Sequence, residues 1–367
     1  MPIELLQELV QIDSRNPPGN ETGVAKYIYD WLTDKGIQAE LIEWGENRYN
    51  VIAEIGNGSN GLMLSGHIDI VPFGNLENWK YDPLGATIVG DKLHGRGTSD
   101  MKGGVAAIME AAAKLSKENF KRKLLLTFTG DEESGLEGAK FLVAKRPEIF
   151  NGIKYGVVGE PTQLNIRAIH KGIVQFKAVF SGKAAHGSKP WLGDNAILKA
   201  NKFIANLQML EKVLAKKKDP MLGSGTINVG VISGGTKINI VPESCEVEVD
   251  RRITRKETMQ EALKQLQDAA KKADPKVKFA NIEMRPPLDN PLDSPLIEMI
   301  QNITKAKVLG ESGYTEAGYF RQKLGIDCVV CGPGDSKLAH VANEWISVKM
   351  VDRAAQVYEK LIRQQCI

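Results

Sequence analysis

Residues 62–69 read Leu62-Met63-Leu64-Ser65-Gly66-His67-Ile68-Asp69, an apolar run that closes on a glycine and then presents an imidazole and a carboxylate. A short apolar run with such a stop reads as a strand buried on both faces, the kind a parallel sheet requires. Working outward, Lys123–Phe128 and Tyr155–Val158 are further buried strands. Helical stretches separate them. Asn20–Lys35 carries Val24, Ile28, Trp31 and Leu32 at helical spacing and stops at Gly36, Lys102–Lys117 is alanine-rich, and Gly135–Lys145 is helical again. Strands alternating with helices of about 10–15 residues predict an α/β/α layered domain with a mostly parallel sheet core.

The pattern changes at Gly172. Ile173–Phe180, Thr226–Val231, Cys245–Arg252 and Lys276–Met284 read as strands, with helices over Asn195–Val213 and Glu257–Ala273. This β-α-β-β-α-β order is the ferredoxin-like arrangement. Cys245, Val247 and Val249 alternate with Glu246, Glu248 and Asp250, as a half-solvated antiparallel strand should. The Pro-rich stretch 285–291 leads out. Ser294–Thr304, Cys328–Val330 and Ser347–Arg363 then return to the helix–strand–helix style. The expected organisation is a discontinuous domain of residues 1–172 and 285–367, interrupted by an inserted domain of residues 173–284.

A chain of 367 residues suits two or three domains at roughly 150 residues each. Its 42% hydrophobic and 25% charged residues exclude a disordered or collagen-like chain. Forty-eight Lys and Arg against 45 Asp and Glu leave +3, too balanced to indicate nucleic acid or a membrane surface as partner. No apolar run approaches the ~18 residues of a span. The N-terminal Met1–Val10 carries acids where a signal peptide needs basic residues, and four cysteines make no disulfide framework, so a cytoplasmic protein is expected.

Chemistry gathers at the strand ends. The chain has five histidines. His67 and Asp69 stand two apart, and side chains at i and i+2 of a strand share a face, so Asp69 is expected to orient the imidazole. Gly95-Arg96-Gly97-Thr98-Ser99-Asp100-Met101-Lys102-Gly103-Gly104 is a glycine-dense loop opening a helix. It lacks the order of a phosphate-binding loop and holds an acid where phosphate would be repelled, so a carboxylate ligand at Asp100 fits better. Asp131-Glu132-Glu133 follows a buried strand, where one acid could bind metal while its neighbour serves a water as base. Glu160 ends another strand, and His340 precedes Asn343-Glu344. Two histidines among several acids match the imidazole–carboxylate ligand set of hydrolytic zinc, cobalt or manganese centres.

Ser-Gly-His67-Ile-Asp69, Gly-Arg-Gly-Thr-Ser-Asp100-Met-Lys-Gly-Gly, Asp-Glu132-Glu133-Ser-Gly, Gly-Glu160-Pro-Thr and Ala-His340 together resemble the co-catalytic metallohydrolases. That family includes acetylornithine deacetylase, succinyl-diaminopimelate desuccinylase, aminoacylase and carboxypeptidase G. The likeness runs from Asn16-Pro17-Pro18-Gly19-Asn20-Glu21 to the last motif, in the family's order. It implies two divalent metal ions, zinc first, with cobalt or manganese as alternatives. Asp100 would bridge them, His67 and Glu160 would complete one site, and Glu133 and His340 the other. Glu132 would be general base to the metal-activated water, with Asp69 orienting His67. The resemblance also implies a cis Asp100–Met101 peptide.

In the inserted domain the resemblance makes His186 an oxyanion donor, lying before Asp194 as an expected helix cap. It points to Asn239, in Gly234-Gly235-Thr236-Lys237-Ile238-Asn239, as a substrate contact. Arg252, on the polar strand face, suits capture of a substrate carboxylate, although a solvated salt-bridged face explains it as well. The likeness further implies a homodimer built through the inserted dimerisation or lid domain, with His186 reaching the partner's cleft. His94 and His170 read as structural, and Cys328 and Cys331 as core packing. The expected activity is removal of an acyl group from a small N-acyl amino acid, as in arginine or lysine biosynthesis, and Tyr314–Tyr319 leans toward the acetylornithine deacetylase form. Alternatives are a metallo-dipeptidase or carboxypeptidase of the same family, or a non-catalytic nucleotide- or metal-binding protein.

Overall fold

Buried along its whole length, the strand Gly61–His67 runs parallel to Leu124–Thr129 on one side and to Ile153–Pro161 on the other. Asp327–Gly332 extends the parallel set beyond Ile153–Pro161. The computed structural model describes Met1–Ile367, which divides into two compact units. The larger comprises Met1–Ala168, Asn290–Leu309 and Thr315–Ile367; the smaller comprises Ile169–Asp289 and Gly310–Tyr314.

In the larger unit both faces of the sheet are covered. Leu62, Leu64, Leu124 and Leu126 pack on one side in the core that holds Val105, Ile108, Tyr358 and Leu361 of the helices Gly103–Leu115 and Val348–Cys366. Met63 and Leu125 pack on the other with Leu142 and Phe320, from Glu137–Lys145 and Glu316–Leu324. This is the layered α/β architecture with a parallel core that the strand–helix alternation indicates. The alanines and glycines of the Gly103–Leu115 helix allow close approach: a Cβ on Gly104 would stand 2.1 Å from the Gly159 carbonyl oxygen. Because the four central strands run the same way, their carboxyl ends, including His67, Thr129 and Glu160, open on one edge, where α/β proteins build their sites.

Two features go beyond the sequence reading. A hairpin of Ala39–Gly45 and Arg48–Ile55 adds two antiparallel strands next to Leu124–Thr129. A small sheet joins Thr87–Val89, Lys92–His94 and Trp345–Ser347, with His94 against the Tyr81 ring at 4.6 Å.

The smaller unit is a four-stranded antiparallel sheet in the order Thr226–Gly234, Ser244–Ile253, Gly172–Ser181, Lys278–Arg285, with the helices Ala196–Leu214 and Met259–Ala273. Order and connections are those of the ferredoxin-like β-α-β-β-α-β unit. Cys245, Val247 and Val249 are buried, and Glu246, Glu248 and Asp250 face the open side. The alternation continues to Arg251, which lies wholly buried and is neutralised by Glu257 at 2.5 Å. Asn195, rather than Asp194, caps the first helix, its side chain accepting from the Leu198 amide; Asp194 pairs with Lys199.

Candidate metal centre

The loop from Lys92–His94 to the helix Gly103–Leu115 carries Asp100. It turns at Gly97, which has a φ of +83° and where a Cβ would press on Ile70 at 2.6 Å. The Asp100–Met101 peptide is cis. One oxygen of Asp100 lies 3.1 Å from His67 Nε2 and the other lies 3.4 Å from His340 Nε2. Each imidazole has a second carboxylate of its own: Glu160 at 3.6 Å from His67 Nε2, and Glu133 at 2.9 Å from His340 Nε2. Asp100 therefore stands between two histidine–glutamate pairs.

His67 is held differently from the i, i+2 expectation. The strand stops at His67, so the shared-face rule no longer governs Asp69. The ring's Nδ1 lies 2.9 Å from the main-chain oxygen of Asp69, while the Asp69 carboxylate stands off at 3.7 Å. With Nδ1–H bonded to that carbonyl, it is Nε2 of the neutral ring that would face a cation in the site. The Asp69 carboxylate instead accepts the amides of Glu132 and Glu133, at 3.1 and 3.2 Å, and the side-chain amide of Asn16 at 2.9 Å.

Carboxylates outnumber cations here. Burial, then Asp100, raises Glu160 well above the ordinary carboxylate range and raises Glu133 as well. Burial pushes Glu132 up to about 8, with Glu133 and Asp100 adding to it against the pull of His67. Burial also disfavours charge on Asp100, but its bonds to His340 and His67 hold it well below the usual value. Burial would lower His67, yet Glu160, Asp100 and Asp69 carry it well above an ordinary imidazole. His340 is pushed up to about 10 by Asp100 and Glu133. Such a cluster is the electrostatic complement of divalent cations. Its donor atoms form two groups able to hold a metal ion, His67 with Glu132 and Glu160, and His67 with Asp100 and Glu133. Two donors on one tetrahedral zinc sit about 3.3 Å apart, given Zn–N and Zn–O bonds of ~2.0–2.2 Å. The four imidazole–carboxylate separations above straddle that value.

Two buried acids that the sequence names without giving them a role support this edge. Glu344 accepts from the amides of Gly97, Ser99 and Asp100 and from Arg96 Nη1, at 3.1, 2.8, 3.0 and 2.7 Å. Arg96 also donates to the Val341 carbonyl, beside His340, at 3.1 Å. Glu316 accepts from the hydroxyls of Ser65 and Thr129, beneath the ends of two strands. The signal for Glu344 was its place just after His340; for Glu316 it was its place in the Tyr314–Tyr319 segment, which assigned the residue no role of its own.

The smaller unit brings His186 and Asn239 together. His186 forms an antiparallel bridge with Ile240, and the Gly187 amide donates to the Asn239 carbonyl at 2.7 Å. Both side chains are exposed, and His186 Nδ1 accepts from the Ser188 amide at 3.1 Å. Arg252 is not with them. It pairs with Thr226 at the far end of the hairpin, whereas the near end is at Gly234 and Cys245, roughly 23 Å of strand away at ~3.3 Å per residue. Its guanidinium is bonded to Asp250 at 2.8 Å. His170 is buried, with Nδ1 near the Lys171 carbonyl oxygen at 2.9 Å and its ring against Tyr314. Cys328 and Cys331 are buried free thiols.

Fold and site together define a metal-dependent hydrolase of amide bonds, and residues 63–364 match peptidase family M20/M25/M40, to which the chain belongs. Across 98% of its length it is 31% identical, over 393 residues, to a probable succinyl-diaminopimelate desuccinylase of Staphylococcus aureus (strain MRSA252), covering 96% of that protein. It is 30% identical over 380 residues to an acetylornithine deacetylase of Vibrio atlanticus (strain LGP32), covering 99% of this chain and 98% of that one. In fold it is similar to a tripeptidase from Staphylococcus aureus subsp. aureus Mu50, with a TM-score of 0.82 and 22% identity over 99% of this chain and 98% of the other. The family resemblance carried by the motifs is thus borne out. No helix is long and apolar enough to cross a membrane.

Proposed function

We propose that the protein removes an acyl group from a small N-acyl amino acid, as an acetylornithine deacetylase or succinyl-diaminopimelate desuccinylase does, with two divalent ions, zinc first and cobalt or manganese as alternatives. The observation that carries this is Asp100, whose two oxygens face two imidazoles, each with its own glutamate. In this reading His67 and Glu160 hold one ion, Glu133 and His340 the other, and Asp100 both. When bound, such ions lower the pKa of a water and polarise the amide carbonyl.

Glu132 takes the proton of the attacking water and returns it to the leaving amine. Its amide is tied to the Asp69 carboxylate, which favours a fixed turn in which Glu132 and Glu133 serve different roles. Glu132 also stands within ligand reach beside His67 and Glu160, so base and ligand roles must be separated by experiment. Glu132→Ala should keep two ions per chain by metal analysis and lose about 10²–10⁴-fold in kcat. The assay is amine release from N-acetyl and N-succinyl amino acids and from dipeptides. Loss of metal from Glu132→Ala, with both ions retained in Glu133→Ala, would reverse the two roles.

The smaller unit supplies His186 as oxyanion donor, with Asn239 beside it, and Arg252 for the substrate carboxylate. The strand length between Arg252 and the His186–Asn239 pair favours their service to two different clefts, as in a homodimer joined through this unit. The four unpaired cysteines favour a reducing, cytoplasmic compartment.

A further inference from the structure

The motif Asn16-Pro17-Pro18-Gly19-Asn20-Glu21 supplies none of the proposed ligands and no base. Its side chains nevertheless end on the turn that presents Glu132. The segment runs alongside the end of the His67 strand: Arg15 bridges Ile70 in parallel, and the Asn16 amide donates to the Ile70 carbonyl at 2.8 Å. Asn16 is buried, and its Nδ2 donates to both Asp69 and Asp131, at 2.9 Å each. Asp131 immediately precedes Glu132 and holds a left-handed φ of +71°. Asp69 accepts the Glu132 and Glu133 amides from the other side.

A second strut reaches the same aspartate. Arg48 forms a two-pronged pair with buried Glu21, at 2.7 and 2.9 Å, and donates to Asp131 at 2.6 Å. Trp44 lies under the guanidinium, with 4.6 Å from its carbon to the ring centre. Gly19 leaves room for this packing: its φ is +86°, and a Cβ there would lie 2.2 Å from Arg48 Nη1. Asp131 Oδ2 also accepts the Glu137 amide at 3.2 Å, fixing the start of the next helix.

We infer that Asn16 and Arg48 are positioning residues for the general-base turn, setting the direction of Glu132 through Asp69 and Asp131 without touching substrate. Two carboxylates beside one turn repel each other; the Asn16 amide, which bonds both, and the Arg48 guanidinium, which bonds Asp131, offset that repulsion and add to the main-chain amides that fix their oxygens. Misplacing a reacting group by about 1 Å costs on the order of 10²-fold, and losing supporting partners costs about 10–100-fold.

The inference rests on Glu132 as base, and the test separates the two. Asn16→Ala and Arg48→Lys enzymes, loaded with cobalt, are compared with wild type for metal content, visible cobalt absorption, thermal melting, KM and kcat. Lysine keeps the charge of Arg48 but cannot bridge Glu21 and Asp131 with a rigid fork. Both variants should keep two ions and an unchanged cobalt spectrum, hold KM within about twofold, and lose about 10–100-fold in kcat. If Asn16→Ala does not fold, Arg48→Lys carries the test. Wild-type kcat in the folded variants, or activity lost only in proportion to lost metal, overturns the inference. An active Glu132→Ala enzyme would overturn the base assignment itself; an inactive one beside fully active Asn16→Ala and Arg48→Lys would overturn only the positioning role.

Discussion

Glu344→Ala should be among the most damaging single substitutions in the larger unit, although Glu344 is not proposed to touch a metal ion or the substrate. The carboxylate is fully buried and takes four donors, the Arg96 guanidinium and the amides of Gly97, Ser99 and Asp100. Removing one partner of a buried pair costs ~3–5 kcal/mol, because the remaining charge, here Arg96 at 2% exposure, stays out of water. Three amides losing their acceptor would add ~1–3 kcal/mol each if nothing moved. Entry of water and relaxation of the loop offset much of that, so a net loss of about 4–6 kcal/mol is expected. At ~2–4 °C per kcal/mol for a domain of this size, the melting temperature should fall by roughly 8–24 °C. Glu344→Gln keeps an acceptor oxygen and should lose about half as much. Scanning calorimetry on wild type and both variants measures this, with metal content determined on the same samples. A Glu344→Ala melting temperature within about 2 °C of wild type would refute the reasoning, since the buried Arg96 would then have found other compensation.

Two further outcomes are expected. His340 bonds Asp100 and Glu133, which push it up to about 10, above the ~6.5 of an unfolded chain, so its contribution to stability is full below pH ~6.5 and is lost as pH rises through about 10. In chelator-treated protein its ring should titrate near pH 10 by NMR and zinc should abolish the titration; a midpoint near 6.5 would contradict the arrangement. For the proposed homodimer, inactive Glu132→Ala chains mixed with inactive His186→Ala chains should regain activity on subunit exchange, at one working cleft per mixed dimer. Exchange without recovery would place His186 in its own chain's chemistry or outside it.

The strands and helices that make up both cores were legible because burial writes a period into the sequence: continuous apolar residues in Gly61–His67, and alternation in Ser244–Ile253. The hairpin Ala39–Gly45 and Arg48–Ile55 was not. Its outer strand is mostly half-buried and mixed in polarity, so neither period stands out. The three-stranded sheet around Lys92–His94 is built from three-residue pieces, too short to show any period. At the site, His67, Asp100, Glu132, Glu133, Glu160 and His340 were recognisable because each sits in a distinctive local motif. The role of Glu316 was not, although it sits in the Tyr314–Tyr319 segment, because its partners Ser65 and Thr129 come from distant strands.

By itself the sequence determined the layered α/β unit, the ferredoxin-like unit and the residue types of a metal hydrolase, since these follow from local periodicity and from motifs at strand ends. Only the tertiary structure decided which atoms meet. It gave the hydrogen bond to His67 to the Asp69 carbonyl and the Asp69 carboxylate, 3.7 Å from the ring, to the Glu132–Glu133 amides, because the chain leaves the strand at His67. It also set Asn16 and Arg48 behind that turn, and Glu344 behind Asp100. Those partners are remote in sequence, and hydrogen bonds and charge pairs between remote residues depend on ångström-scale placement that no local pattern encodes.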